Sequence, residues 1–177
     1  MIRPTAVLAA LALVLSALPA AAQWVAVGRW GAEGNFRYVP PGTWMVLQQD
    51  GQVEITAEGD NHQGRIELTC DGERPGGTMR FSGYFGDALD ESALSDVEPH
   101  VQSVRFVIDG QSFDRTFRYR PDARDWVADD VLEPGLLDVF AWGQRFEILN
   151  KEGERVTSYG LSGSGAARQA VRRGCGI

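Results

Sequence analysis

The chain has 177 residues, with 24 acidic against 17 basic side chains, a net charge of −7 and 44% hydrophobic residues. A surface that negative repels nucleic acid and anionic lipid, so binders of polyanions drop out at once. The length and apolar content suit one domain with one core.

The N-terminus has the layout of a secretory signal peptide: Arg3 supplies charge, Ala6 to Leu18 an apolar stretch, and Pro19-Ala20-Ala21-Ala22 a small-residue exit. Thirteen alanine-rich residues fall short of the roughly 20 that span a membrane. Residues 1–22 are therefore expected to be cleaved, leaving 23–177 as a single β-rich domain with a net charge of −8, exported and not inserted in the membrane. The only two cysteines, Cys70 and Cys175, lie far from the cleavage point, which leaves none there to be acylated. An even number of cysteines in an oxidising compartment points to one disulfide between them.

Short alternating segments broken by glycine-bearing turns follow, the pattern of an antiparallel sheet. A strand is expected over Trp24 to Trp30. Asp50-Gly51 then joins Val46–Gln49 to Gln52–Ala57 in a tight hairpin, because both turn residues tolerate positive φ. In Arg65–Cys70 the apolar set is Ile66, Leu68 and Cys70, so the cysteine shares the inward face. Thr78 to Phe85 reads as another strand, and Asp87 to Pro99 as an acidic loop with one helical turn at Ser92-Ala93-Leu94. Asp109-Gly110 joins Val104–Ile108 to Phe113–Tyr119. Asp125 to Ala128 forms a further strand.

Pro134 to Trp142 places Leu136, Val139 and Phe140 at helical spacing, with Gly143 to end the helix. Glu152-Gly153 makes a third hairpin, between Arg145–Leu149 and Arg155–Leu161. A terminal helix is expected after Ser164 as its N-cap, with Ala167, Ala170 and Val171 on one stripe and Cys175 four residues on. The predicted fold is mainly β: an antiparallel β-sandwich or barrel, with one short internal helix and a C-terminal helix packed on the sheet.

None of the chemistry-bearing motifs is complete. Gly160-Leu161-Ser162-Gly163-Ser164-Gly165 misses the Gly-x-Ser-x-Gly elbow by one residue and has no lysine for a phosphate loop, so it reads as a strand-to-helix turn. His62 and His100 are the only histidines, too few and too far apart for a zinc site, and His62 sits in a turn expected to be solvated. His100 is the one candidate for a hydrolase assembled from remote partners. Phe117-Arg118-Tyr119-Arg120 interleaves aromatics with cations, but strand parity puts the rings on one side and the arginines on the other. Asp129-Asp130 reads as a loop pair, and Trp30 and Trp44 as core packing. No cofactor or metal is expected.

The C-terminal third has a further layout. An apolar helix over Leu136 to Trp142 ends in Gly143, then Gln144-Arg145-Phe146-Glu147-Ile148, a turn, Tyr159-Gly160-Leu161-Ser162-Gly163-Ser164-Gly165-Ala166-Ala167 and a late cysteine. Over roughly these last 45 residues the chain resembles small exported proteins of proteobacteria, of which the invasion-associated locus B family is the best known. It departs from them at Ser164, where that family carries an aromatic, and in its cysteine placement. The resemblance implies a β-rich envelope protein and brings no catalytic residues with it. The expected function is thus an exported, periplasmic or secreted, non-catalytic binding protein whose partner is a protein or envelope component. The rivals are a hydrolase built on His100 and a carrier of a small apolar ligand inside a barrel.

Overall fold

The computed structural model describes residues 39–89 and 100–177. The leader, the Trp24 to Trp30 strand and the turn at Ser92-Ala93-Leu94 fall outside them, as does Trp30. In chain order the elements are β1 (Met45–Gln49), β2 (Gln52–Glu58), β3 (Arg65–Cys70), β4 (Thr78–Ser82), β5 (Val101–Ile108), β6 (Gln111–Arg120), β7 (Asp125–Asp129), α1 (Pro134–Trp142), β8 (Arg145–Asn150), β9 (Arg155–Gly160) and α2 (Ser164–Cys175). The strands form one antiparallel sheet in the order β1-β2-β3-β4-β7-β6-β5-β8-β9, curled into a half-barrel with the two helices packed on it. Of the two architectures expected, the sheet curls on itself in place of forming a sandwich. The β5-β6-β7 meander runs backwards through the order, so β4 pairs with β7 and β5 with β8.

Local chemistry accounts for the hairpins. Asp50 and Gly51 sit at φ 51° and 81°, and Asp109 and Gly110 at 45° and 88°, the positive pairs that let a two-residue turn follow the strands' twist. Alternation then sorts the side chains. Val53, Ile55, Ile66, Leu68, Phe81, Phe106, Phe117, Trp126, Ile148 and Tyr159 are all buried, and Phe81 stacks on Phe117 with ring centroids 5.7 Å apart. The strand expected over Thr78 to Phe85 stops at Ser82; Tyr84 beyond it is still buried, while Phe85 is exposed.

α1 seals the concave side. Its buried residues are Leu136, Leu137 and Phe140, with Val139 only half-buried, so the apolar stripe is turned slightly from the spacing expected. Phe140 meets the edge of Trp44 at 4.6 Å. Between α1 and the sheet remains a void of about 30 Å³ with an entirely apolar lining, about the volume of one water. Arg115, on the inner face of β6, reaches Glu133 at 3.1 Å and the Val131 carbonyl at 3.3 Å, fixing the start of the helix.

The first and last strands meet at one corner. The Trp44 N–H donates to the Ser162 carbonyl at 2.8 Å, and the indole Nε1 donates to the Gly160 carbonyl at 2.9 Å. The turn after β2 is not simply solvated: His62 is exposed, but Asp60 crosses to β9 and serves as a clamp. Its N–H donates to the Ser158 carbonyl at 2.8 Å. Its carboxylate accepts from the Ser158 hydroxyl, the Gly160 N–H and Arg145 Nη1, each at 3.0 Å. The sequence gives no hint of this, because the partners lie about a hundred residues away.

α2 lies across β1, β2 and β3, its small stripe Ala167, Ala170 and Val171 buried. Cys175 is bonded to Cys70 on the inner face of β3, with Cα atoms 5.7 Å apart, so the expected disulfide is formed. The expected cap is corrected: Gly163, not Ser164, is the N-cap, held at φ 86°. Ser164 is buried inside the first turn and makes no cap bond. A left-handed residue is needed there because the chain passes against the Trp44 carbonyl, where a side chain on residue 163 would collide. Arg168 pairs with Asp138 of α1, while Arg172 and Arg173 occupy the last turn, where positive charge complements the helix dipole.

Candidate functional site

The groups singled out by sequence are mostly spent on structure. Arg118 pairs with Asp129 at 3.2 Å, and Arg120 with Asp125 at 2.7 Å, so the aromatic–cationic run of β6 is a neutralised outer face whose rings point inward. Asp125 is fully buried and also accepts from Arg80, which in turn reaches Glu67. Burial pushes the Asp125 carboxyl up, but the hydrogen bonds and charges of Arg120 and Arg80 outweigh it and hold the group below the ordinary carboxylate range. Asp129, the last residue of β7, accepts from Thr78 as well, so its carboxylate is held between Thr78 and Arg118 on the outer face.

One carboxyl on this face is shifted the other way. Glu54, on β2, is raised from 4.5 to about 7 by burial first and by the neighbouring charge of Glu67 second, with Arg80 opposing. Between those two values the folded state keeps a proton that the unfolded chain has released, so stability falls as pH rises through the window and stays lower above it. Glu54→Gln removes that penalty. Discounted for partial exposure, the gain is about 1–2 kcal/mol, so melting at pH 8 is expected to rise by roughly 3–6 °C and at pH 4 to change little. Thermal scans of both proteins at the two pH values check this; equal shifts at pH 4 and pH 8 would assign the effect to packing.

A cleft of about 520 Å³ gathers what remains. It opens where β5 outruns β8. β5 begins at Val101, but the last residue that β8 pairs with it is Val104, opposite Asn150. His100 to Ser103 form one wall, the β8–β9 turn the second and Asp87-Ala88 the third. Asn150, itself buried, builds the turn: its Oδ1 accepts the N–H groups of Glu152 and Glu154 at 3.1 and 2.8 Å. Its Nδ2 donates to the Ala88 carbonyl at 3.1 Å, which ties the third wall to the second. Glu152, Glu154 and Asp87 thereby face the same space, with Lys151 3.4 Å from Glu152 as the basic side chain among them.

His100 lines this cleft, as the hydrolase reading requires. Its carbonyl is taken by the Tyr119 N–H at 2.9 Å, while Nε2 is buried with no hydrogen-bond partner. Ser103 and the carboxylates share the cleft, yet among the described residues no hydrogen bond joins the imidazole Nε2 to a hydroxyl or a carboxylate. Among the described residues, then, Nε2 is joined to neither the nucleophile nor the acid that a triad needs. Among the described residues, no group of three His, Cys, Asp or Glu side chains is placed to hold a metal ion. Also among them, no helix is long and apolar enough to cross a membrane.

Of the cleft's residues, His100 stands out in the sequence, whereas Asn150, Ser103, Asp87 and Glu154 do not. The available signal was an asparagine immediately before the third hairpin turn, a residue suited to accepting turn N–H groups. The mismatch in strand length that opens the cleft is a matter of register and leaves no mark in the sequence. Comparison of the chain with protein-family models, with curated proteins and with solved structures finds no match.

Proposed function

We propose that the protein works outside the cytoplasm, in the periplasm or secreted, as a non-catalytic binding protein of the cell envelope, with the cleft beside His100 as its contact site. The observation that carries this reading is the contrast between a polar-lined cleft of about 520 Å³ and the apolar void of about 30 Å³ under α1. Specific recognition needs a concave site with a few oriented polar groups, as the cleft has and the apolar void under α1 has not. The export signal over residues 1–22, the disulfide and the resemblance of the C-terminal third to exported envelope proteins support the location.

Site-specific photo-cross-linking in cells tests the site. A benzophenone side chain at Val101, on the cleft wall, is expected to give discrete adducts in the envelope. The same group at Gln111, in the β5–β6 turn region, is expected to give none. Matching adducts at both positions, or none at Val101, would refute the assignment.

A further inference from the structure

We infer that a second hollow, on the outer face of β1, β2 and β3, binds a primary ammonium group carried on a short aliphatic chain, with Glu54 as its counter-ion. This site is separate from the cleft beside His100 and does not rest on the binding reading above. The first support is a gap in an otherwise complete pattern. Every other carboxylate on a described strand lies within 3.3 Å of an arginine, Glu58 at Arg65 and Glu147 at Arg155 among them. Glu54 makes no hydrogen bond or ion pair among the described residues. Arg80, the arginine whose charge reaches it, is engaged by Glu67 and Asp125 at 2.7 and 2.8 Å. A carboxylate partly withdrawn from water without a partner is disfavoured, and a cation from outside the chain removes that penalty.

Shape and charge narrow the occupant. The hollow holds about 310 Å³, and its walls come from β1, β2, the turn between them and β3. Register sets Glu54 between Leu47 of β1 and Thr69 of β3, so the carboxyl has an apolar side chain on one side and a hydroxyl on the other. Parity puts Gln49 and Gln52 on the same outer face. The Gln49 amide nitrogen donates to Asp50 at 3.3 Å, which leaves its carbonyl oxygen to accept. An ammonium, with three donors and no acceptor, suits this set of oxygens, and Leu47 offers a contact for the carbon chain behind it. The charged groups facing Glu54 are Glu67 from β3 and Arg80 from β4, with Asp50 in the turn and none on β1. Arg80 is shared with Asp125, so the surroundings favour a cation.

The test is a titration of the isotope-labelled protein with n-butylamine in an amine-free buffer, followed residue by residue in NMR spectra. Shifts are expected at the Leu47, Glu54 and Thr69 amides. Burial and the charge of Glu67 raise the Glu54 carboxyl to about 7, whereas an alkylammonium stays charged to about pH 10. The carboxylate that binds is therefore gained as pH rises, and affinity is expected to increase about tenfold from pH 6 to pH 8. Glu54→Gln is expected to weaken binding at pH 8 at least tenfold; that variant is also expected to melt higher than the parent, so unfolding does not explain the loss. Tetramethylammonium, equal in charge but without N–H donors, is expected to bind at least fivefold more weakly. Nα-acetyl-lysine N-methylamide separates the sources of the ligand: binding as tight as butylamine's would assign the site to a lysine of a partner protein, and weaker binding to a free amine. Equal binding of butylamine by the parent and Glu54→Gln, equal binding of tetramethylammonium, or no shift at Glu54 would overturn the inference and leave the reading of the cleft standing.

Discussion

Cys70→Ser and Cys175→Ser are each expected to lower the stability of the oxidised protein by about 4 kcal/mol, and the double variant by no more than either. The bond closes a loop with a sequence separation of 105 residues, and in the chain-entropy account a closure that long costs the unfolded state roughly 4–5 kcal/mol. For a domain of this size that is a fall of about 8–16 °C in melting temperature. The variants are still expected to fold, because α2 keeps Ala167, Ala170 and Val171 buried against the sheet without the bond. Calorimetry under oxidising conditions measures the three variants against the parent. Clearly unequal losses would mean that the two sulfur atoms stabilise the fold separately.

Gly64→Ala is expected to cost about 3 kcal/mol. Gly64 is held at φ 88° where the chain enters β3, and a Cβ there would run into the ring of Phe81, which is fully buried between Tyr84 and Phe117. Overpacking contributes about 1–3 kcal/mol and the left-handed backbone about 1–2. Gly110→Ala separates the two, since Gly110 has the same φ of 88° and open space around it. It is expected to lose only the backbone share, about 1–2 kcal/mol. Denaturant melts of both variants decide the matter, and equal losses would show that Phe81 yields. The Gly64 carbonyl also accepts from the Tyr159 hydroxyl at 3.3 Å, so a displaced backbone would loosen the seam as well.

These positions mark what could be read from the chain and what could not. Asp50-Gly51 and Asp109-Gly110 encode their turns in two adjacent residues, and the alternation of Ile66, Leu68 and Cys70 fixes which way the cysteine points. Such information is local. The reversed insertion of β5, β6 and β7 between β4 and β8 is decided by which faces bury best together, and no short window of residues contains that choice. Asp60 illustrates the same limit: an acidic residue in a polar turn reads as solvated until Arg145, Ser158 and Gly160 arrive beside it from the far end of the chain. At α2, serine at the expected cap position loses to Gly163, because the Trp44 carbonyl leaves no room for a side chain there.

The candidate site was half legible. His100 was visible as one of only two histidines, but its surroundings come from Asn150 bracing a turn and from β5 extending three residues past β8. The imidazole ends up with a buried Nε2 next to a cleft that has hydroxyl and carboxylate groups, and among the described residues none of them bonds it.

Turnover is therefore the most direct measurement of whether the cleft only binds. Purified protein and its His100→Ala variant, incubated with ester, glycoside and peptide substrates, are expected to give the same rate as buffer. A substrate consumed by the parent protein and spared by His100→Ala would contradict the account.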